Sequence, residues 1–450
     1  MKKDWIQQVQ DAGIVGAGGA GFPTHVKMNA EAEYLVVNGA ECEPLLRVDQ
    51  QLMERDATIL VKTLDQWVEA IGAKEGIFGL KEKYHGAIDA LNAAVQAFPR
   101  IRVQPMPNVY PAGDEQFLVY EAVGKVVPEG GIPLQVGVVV VNVETLLNLA
   151  KAFDGEPVTD TYVTITGEVQ SPGTYAVPVG TSLTTLIKWA GGVTIEPYAV
   201  IDGGPMMGKL IEDPQQVRVK KASKGYIVLP ADHNRIQAKE KKISQMLKEA
   251  KTACCHCNLC TDVCPRHQLG YDLHPAKLMR MASYQSLGDA TSSLDEAYLC
   301  CECGLCEIAC IMNLQPWKLN ISLKGQLREM GIKNSHHKAP ETARAFREYR
   351  NYPTHRLIAN LGLRIYDVPA PIRENPETVE EVRISFSQGI GAPSLPIIAT
   401  GDLVQKGDLI AKIPEGKLGS NVHASISGKV IELGKDSVLI RNERQGGMDQ

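Results

Sequence analysis

Ten of the eleven cysteines lie in two short blocks, 254–264 and 300–310. The first reads Cys254-x-x-Cys257-x-x-Cys260-x-x-x-Cys264-Pro265, and the second Cys300-x-x-Cys303-x-x-Cys306-x-x-x-Cys310. Thiolates three residues apart on a tight loop can wrap three corners of an iron–sulfur cubane. A fourth cysteine after three more residues is carried by a helix to a second cubane. The spacing therefore predicts two [4Fe–4S] clusters. Cys254, Cys257, Cys260 and Cys310 would hold one, and Cys300, Cys303, Cys306 and Cys264 the other. Structural zinc is the alternative, but zinc sites usually show pairs of C-x₂-C rather than triplets with a fourth. The second block departs from the pattern where Ile311, not proline, follows Cys310. Cys255 and Cys301 are surplus and read as buried small residues, although either could replace its neighbour by a slip of one. Two neighbouring clusters make a one-electron wire. A wire does no hydride chemistry, so a two-electron carrier such as a flavin is expected upstream.

Composition narrows the setting. The 450 residues are 44% hydrophobic and 22% charged, ordinary for a globular chain of about three domains. Net charge is 47 − 52 = −5, which gives no reason to expect a nucleic-acid surface. No stretch approaches the ~20 apolar residues of a spanning helix, and the start carries no apolar signal core. Clustered cysteines in such a chain suggest a cytoplasmic, metal-binding protein.

The elements follow from periodicity. YLVVN (34–38), EGIFGL (75–80) and VGVVVV (136–141) are short buried-strand candidates. DATILVKTLDQWVEAIGA (56–73) and GAIDALNAAVQAF (86–98) have helical spacing. Their alternation predicts a parallel α/β domain over 1–155. Residues 156–232 are rich in β-branched and aromatic residues around one short helix, 181–192, and form a small α+β module. A charged helical connector, 235–251, opens a third unit, 233–330, which holds both cysteine blocks and a helix through HPAKLMRMASYQSLG. Residues 331–380 show no compact pattern and are read as a linker. From 381 to 450 short strands and turn glycines suggest a barrel or sandwich.

Gly16-Ala17-Gly18-Gly19-Ala20-Gly21-Phe22-Pro23 would let backbone N–H groups approach a phosphate or an isoalloxazine ring. It follows no clear strand, so the ordinary dinucleotide fingerprint is not met. GAGGAGFPTHVK (16–27), NGAECEP (38–44), GDE (113–115) and VNVETLLN (141–148) occur in that order. Together they resemble the flavin- and NADH-binding subunit of respiratory complex I, whose marks are GRGGAGFP, NADESEP, GEE and NNVET. The resemblance implies a Rossmann-like FMN and NADH domain. Gly16, Gly18, Gly19, Gly21 and Lys27 would hold flavin and nucleotide. Asn38, Glu41, Asn142 and Thr145 would contact FMN, and Phe22 would stack on the nucleotide. Glu43 and Glu115 would face the nicotinamide as the catalytic pair. Ala17, Ala40 and Val141 depart from the family's arginine, aspartate and first asparagine, changes that touch NADH affinity more than FMN binding. Cys42 is read as structural.

Three further likenesses fill the chain. VTITGEVQSPGTYAVPVGTSLTTLIKWAGGV (163–193) resembles the β-grasp (SLBB) soluble-ligand-binding module, expected here to be structural. IDGGPMMG (201–208) resembles the C subunit of Rnf electron-transport complexes, with Met206 and Met207 as packing residues. GAPSLPIIATGDLVQKGDLIAKI and VHASISGKV (391–413, 422–430) resemble a barrel-sandwich hybrid. Lys417 lacks a lipoyl lysine's context, so an interaction module is expected. This order, with the barrel last, is similar to the cobalamin reductase family of propanediol-utilisation bacterial microcompartments. The resemblance implies NADH-driven reduction of a corrinoid, cob(III)alamin to cob(II)alamin and cob(I)alamin, for an adenosyltransferase, with a shell protein as neighbour. Asp272-Leu273-His274 begins a D-x-H-x-x-G corrinoid motif, but Lys277 stands at the glycine. The alternatives are an Rnf C-like input subunit serving ferredoxin or another reductase, or a non-catalytic relay and docking module.

Overall fold

The computed structural model describes residues 2–284 and 294–443. The end of the expected HPAKLMRMASYQSLG helix and the last residues of the barrel segment lie outside these.

The N-terminal unit is a parallel sheet. Its strands are β1 (Tyr34–Gly39), β2 (Glu75–Lys81), β3 (Ile101–Met106) and β5 (Val138–Asn142), in the order β3-β2-β1-β5. The short β4 (Val109–Tyr110) lies outside this sheet. Both faces are covered, so the strands read as continuous apolar runs and not as alternation. On one face α4 (Ala57–Ile71) and α7 (Val143–Phe153) pack their apolar stripes, with Trp67 fully buried among them. The helices α1 (Lys2–Asp11), α2 (Thr24–Met28), α3 (Val48–Arg55) and α5 (His85–Val95) add Val9, Met28, Leu52 and Leu91 to the same cluster. On the other face, α6 (Glu115–Val123) presents Phe117, Leu118 and Val119 to Ile77 and Met106. The expected strands at 34–38 and 75–80 and helices at 56–73 and 86–98 all form; the 136–141 strand begins two residues late, at Val138.

The second unit is a six-stranded mixed sheet built on β6 (Asp160–Gly167), β7 (Gly173–Pro178), β8 (Tyr198–Asp202), β9 (Lys209–Leu210) and β10 (Gly225–Pro230). Its sixth strand comes from far along the chain, Ile372–Arg373 beside β7. The C-terminal unit pairs its strands within two small sheets, but its core is not its own. Val382, Ile384, Val422, Val438 and Ile440 pack in one cluster with Val163, Tyr175, Leu186 and Val228 of the β-grasp unit. The charged connector 235–251 is two helices, Asn234–Glu240 and Ile243–Ala253, broken at Lys241–Lys242. Among the described residues no helix is long and apolar enough to cross a membrane.

Residues 331–380, read as a linker, run as a strap across three units. Tyr352 pairs with Tyr110, Arg347 bonds Glu121 at 2.6 Å and lies over the Phe117 ring, Arg344 donates to His267 O at 2.8 Å, and Arg47 pairs with Asp367. The strap thus ties the flavin-side unit, the cysteine unit and the β-grasp unit together. Its strands are two residues each, too short to announce themselves by period.

A buried lysine joins three units. Lys221 of the β-grasp unit donates to Gly13 O at 2.7 Å and Asn421 O at 2.8 Å, with 2% of its surface exposed. Burial lowers its pKa to about 7. Between pH 7 and its ordinary value the unfolded chain binds a proton that the folded chain does not, so folding stability rises with pH there. One such group gives a slope of at most about 1.4 kcal/mol per pH unit. Lys221→Met is expected to melt at lower temperature at pH 9 and to show a flatter rise in Tm from pH 7 to pH 9. An unchanged slope would show that Lys221 is not the titrating group.

Candidate functional site

The carboxyl ends of parallel strands are where an α/β sheet leaves a crevice. Asn38, next to last in β1, and Asn142, last in β5, are register partners. Asn142 caps α7, accepting from Glu144 N at 3.0 Å, and its amide donates to Asp49 at 2.7 Å. The glycine loop lies across this end. Ala17 N donates to Thr145 Oγ1 at 2.9 Å, and a Cβ on Gly18 would stand 3.3 Å from that of Asn142. A Cβ on Gly19 would meet nothing within 4 Å, so the outer side of the loop is open. Gly21, at φ +67°, backs onto Gly389 of the C-terminal segment so closely that a side chain would collide with its Cα at 2.7 Å. Asn38 donates to Gly113 O at 2.8 Å, which brings in the GDE segment, and Asp114 caps α6. Lys27 reaches Val140 O at 3.1 Å and Glu115 at 3.4 Å; both side chains are partly exposed. Phe22 is half-buried beside the loop.

The fold therefore gathers Gly16, Gly18, Gly19, Gly21, Phe22, Lys27, Asn38, Asn142, Thr145 and Glu115 about the carboxyl end of the sheet. An open glycine loop, a helix N-terminus and a lysine fit a phosphorylated flavin. The other two carboxylates are each held by two backbone amides. Glu41 is buried, at φ +36°, and accepts from Val48 N at 2.5 Å and Asp49 N at 3.1 Å, capping α3. Burial, then the neighbouring Asp49, raises its pKa. Glu43 accepts from Met206 N and Met207 N, each at 2.8 Å, across to the β-grasp unit. Burial raises its pKa and those two amides draw it back. The sequence signal for both, an acidic turn after β1, does not reveal these partners.

Sequence reasoning missed the network behind the crevice. Lys224 bonds Asp49 at 3.0 Å and Glu144 at 2.6 Å. Burial alone would lower it, but the two carboxylates hold it above its ordinary value. This clamp fixes Asp49, which in turn orients Asn142.

The two cysteine blocks lie next to each other. Cys254, Cys257, Cys260 and Cys310 line one apolar cavity with Met279, Ile311 and Met312. Burial, then Cys310, Cys257 and Cys254, pushes the Cys260 thiol up to about 12. Cys306 feels Cys300, Cys264 and Cys260, so the two groups are neighbours. Backbone N–H groups point at sulfur: Glu302 N to Cys300 at 3.3 Å, Leu314 N to Cys310 at 3.4 Å, and Arg266 and His267 N to Cys264. Thiols crowded together out of water resist ionising, and a cationic iron–sulfur core supplies what would hold them as thiolates. All eleven cysteines are free of disulfides. Among the described residues no three His, Cys, Asp or Glu side chains converge on a single-ion point. Cys255 is exposed. Cys301 lies partly buried, beside Cys303 and Arg266. Tyr110 donates to Cys303 O at 2.6 Å, and Cys42, Tyr110, Met206 and Cys303 share one apolar cluster. The second block thus abuts the flavin-side unit.

Four families match in the expected order. The Nuo51 FMN-binding domain matches residues 9–151, the SLBB domain 162–210, the 4Fe-4S dicluster domain 253–315 and the RnfC barrel sandwich hybrid domain 369–445. Together with the crevice and the paired cysteine groups they define an iron–sulfur flavoprotein of the electron-transfer oxidoreductases. Cobalamin reductase PduS of Citrobacter freundii is 42% identical over 436 residues, 96% of this chain and 95% of that one. That of Salmonella typhimurium is 41% identical over 437 residues, with the same coverage. The chain belongs to the cobalamin reductase PduS family. The C subunit of the Na(+)-translocating ferredoxin:NAD(+) oxidoreductase complex of Acetobacterium woodii is 35% identical over 274 residues, 59% of each chain. A solved NAD+-reducing [NiFe]-hydrogenase in the H2-reduced state aligns at TM-score 0.48 and 24% identity, covering 75% of this chain and 64% of that one.

The Glu41 cap carries a stability prediction. Glu41→Ala leaves buried α3 amides without an acceptor, a loss of about 1–3 kcal/mol. Glu115→Gln touches only a half-exposed pair and is expected to change stability by less than about 1 kcal/mol. Urea unfolding of both variants checks the contrast.

Proposed function

We propose that the chain oxidises NADH at the glycine-loop crevice and delivers single electrons to a corrinoid. The reading is carried by one observation. Cys303, Tyr110 and Cys42 form a continuous apolar contact from the end of the flavin-side sheet to the second cysteine block, so no moving domain is needed to connect them. When bound, FMN supplies the conversion of a hydride pair into single electrons, and two [4Fe–4S] clusters supply their conduction. Two electrons from one NADH balance the reduction of one cob(III)alamin to cob(I)alamin, or of two to cob(II)alamin.

The residues divide the work. Gly16, Gly18, Gly19 and Gly21 give backbone access to phosphate and ring, and Lys27 adds positive charge. Asn38, Asn142 and Thr145 fix the loop and the strand ends beneath the flavin. Phe22 offers a face for the nucleotide, and Glu115, held by Lys27, is the carboxylate that remains at the open side. Glu41 and Glu43 act as positioning residues: they hold the turn that follows β1. Cys254, Cys257, Cys260 and Cys310 would hold one cluster, and Cys264, Cys300, Cys303 and Cys306 the other. The first group includes exposed Cys257 and lies beside exposed Cys255, Ile311 and Met312, which makes it the exit toward the acceptor. The family's name supports the corrinoid as acceptor, and the resemblance in motif order supports a propanediol-utilisation microcompartment as its setting. An adenosyltransferase would consume the cob(I)alamin, and a shell protein would be the structural neighbour.

The test is anaerobic spectroscopy of the iron-reconstituted, FMN-loaded chain. NADH is expected to bleach the flavin, and added hydroxocobalamin to turn catalytically to the cob(II)alamin spectrum. Cys257→Ser is expected to keep flavin bleaching and to lose corrinoid reduction. Bleaching without corrinoid reduction in the unaltered chain would move the reading to an Rnf C-like input subunit. Bound flavin that NADH never bleaches would leave a relay module.

A further inference from the structure

Arg266 stands two residues after Cys264 and is 8% exposed. One edge of its guanidinium is taken by Asp114 at 2.7 Å. Its Nε and Nη1 are buried and meet no hydrogen-bond acceptor of good geometry among the described residues. After Asp114, its strongest electrostatic partner is the sulfur of Cys301, which is itself hydrogen-bonded to Cys303. Its own backbone N–H points at the Cys264 sulfur. An arginine keeps its charge in a protein, and this one pairs with Asp114 in a buried setting. Asp114 is no ordinary surface partner. It caps α6, accepting from Gln116 N and Phe117 N, and stands next to Glu115 at the flavin-side crevice.

A buried cation beside a sulfur cluster stabilises the more negative, reduced state. We infer that the Arg266–Asp114 pair sets the reduction potential of the cluster held by Cys264, Cys300, Cys303 and Cys306. Arg266 raises that potential above the level of the cluster's other surroundings, and Asp114 limits the rise. Both are positioning residues that act on the cluster without ligating it. The pair also bridges the two cofactor units, since one partner caps a flavin-side helix and the other follows a cysteine of the cluster block. It biases electrons to leave the flavin for this cluster. The inference rests on the assignment of cysteines under Proposed function.

The test is an anaerobic redox titration of the reconstituted full chain, with dithionite as reductant and the two cluster signals followed by electron paramagnetic resonance. Arg266→Gln is expected to lower the midpoint of one cluster and leave the other in place. Asp114→Asn keeps the α6 cap, because asparagine caps as well as aspartate, and is expected to raise the same midpoint. Opposite shifts confined to one cluster support the inference. No shift, shifts of the same sign, or equal movement of both clusters overturns it. If Arg266→Gln does not accumulate folded protein, the sign of the Asp114→Asn shift decides alone: upward supports, unchanged or downward overturns. An unaltered chain that shows fewer than two cluster signals overturns the cysteine assignment, and this inference falls with it.

Discussion

A carboxylate withdrawn from water has to be held by donors. In this chain the carboxylates near the crevice are held by donors set far along the sequence or on another element. Glu43 takes its two amides from Met206 and Met207, and Glu41 takes the first amides of α3. Asp114 takes the buried guanidinium of Arg266, and Glu144 with Asp49 takes Lys224. Each pairing crosses a boundary between elements or units. The arrangement of the units is thus fixed by charge that would be costly to leave unpaired, as well as by apolar contact. The cofactor crevice and the cysteine groups inherit their relative placement from these few joints.

The IDGGPMMG loop shows how closely the units are fitted. A Cβ on Gly204 would collide with the Glu43 carboxylate, and Met206 lies against Gly304 of the second cysteine block. Arg235 closes the loop from behind, donating to Pro205 O at 2.7 Å and Glu307 at 2.7 Å. The loop therefore touches flavin-side, β-grasp and cysteine units at once. The β-grasp module, matched as an SLBB domain, thus packs against both other units.

Much of this was legible in the residues. Apolar runs placed β1 and β2 because both faces of a parallel sheet are dry, and the spacing of Leu60, Val61, Leu64 and Trp67 placed α4. The cysteine spacing placed the cluster groups because a cubane dictates local geometry. The glycine loop, Asn38 and Asn142 were read together from the order of motifs resembling the complex I flavin subunit, and the fold sets Asn38 and Asn142 on adjacent strands. What was not legible depends on distance in sequence. Glu41 and Glu43 read as crevice carboxylates, and nothing local says that their donors come from α3 and from a loop 163 residues away. Residues 331–380 read as a linker because their two-residue strands take their conformation from partners such as Tyr110 and Thr174, not from their own period.

The contact between Gly21 and Gly389 has a consequence for biosynthesis. The loop that opens the flavin crevice is near the start of the chain, yet its back is closed by a turn that belongs to the final module, with Ile390 N bonded to Gly21 O at 3.1 Å. An emerging chain holds the glycine loop and the parallel sheet long before it holds that turn. The crevice therefore reaches its finished shape only after nearly all of the chain has left the ribosome. A chain truncated before that turn lacks the contact that backs the glycine loop.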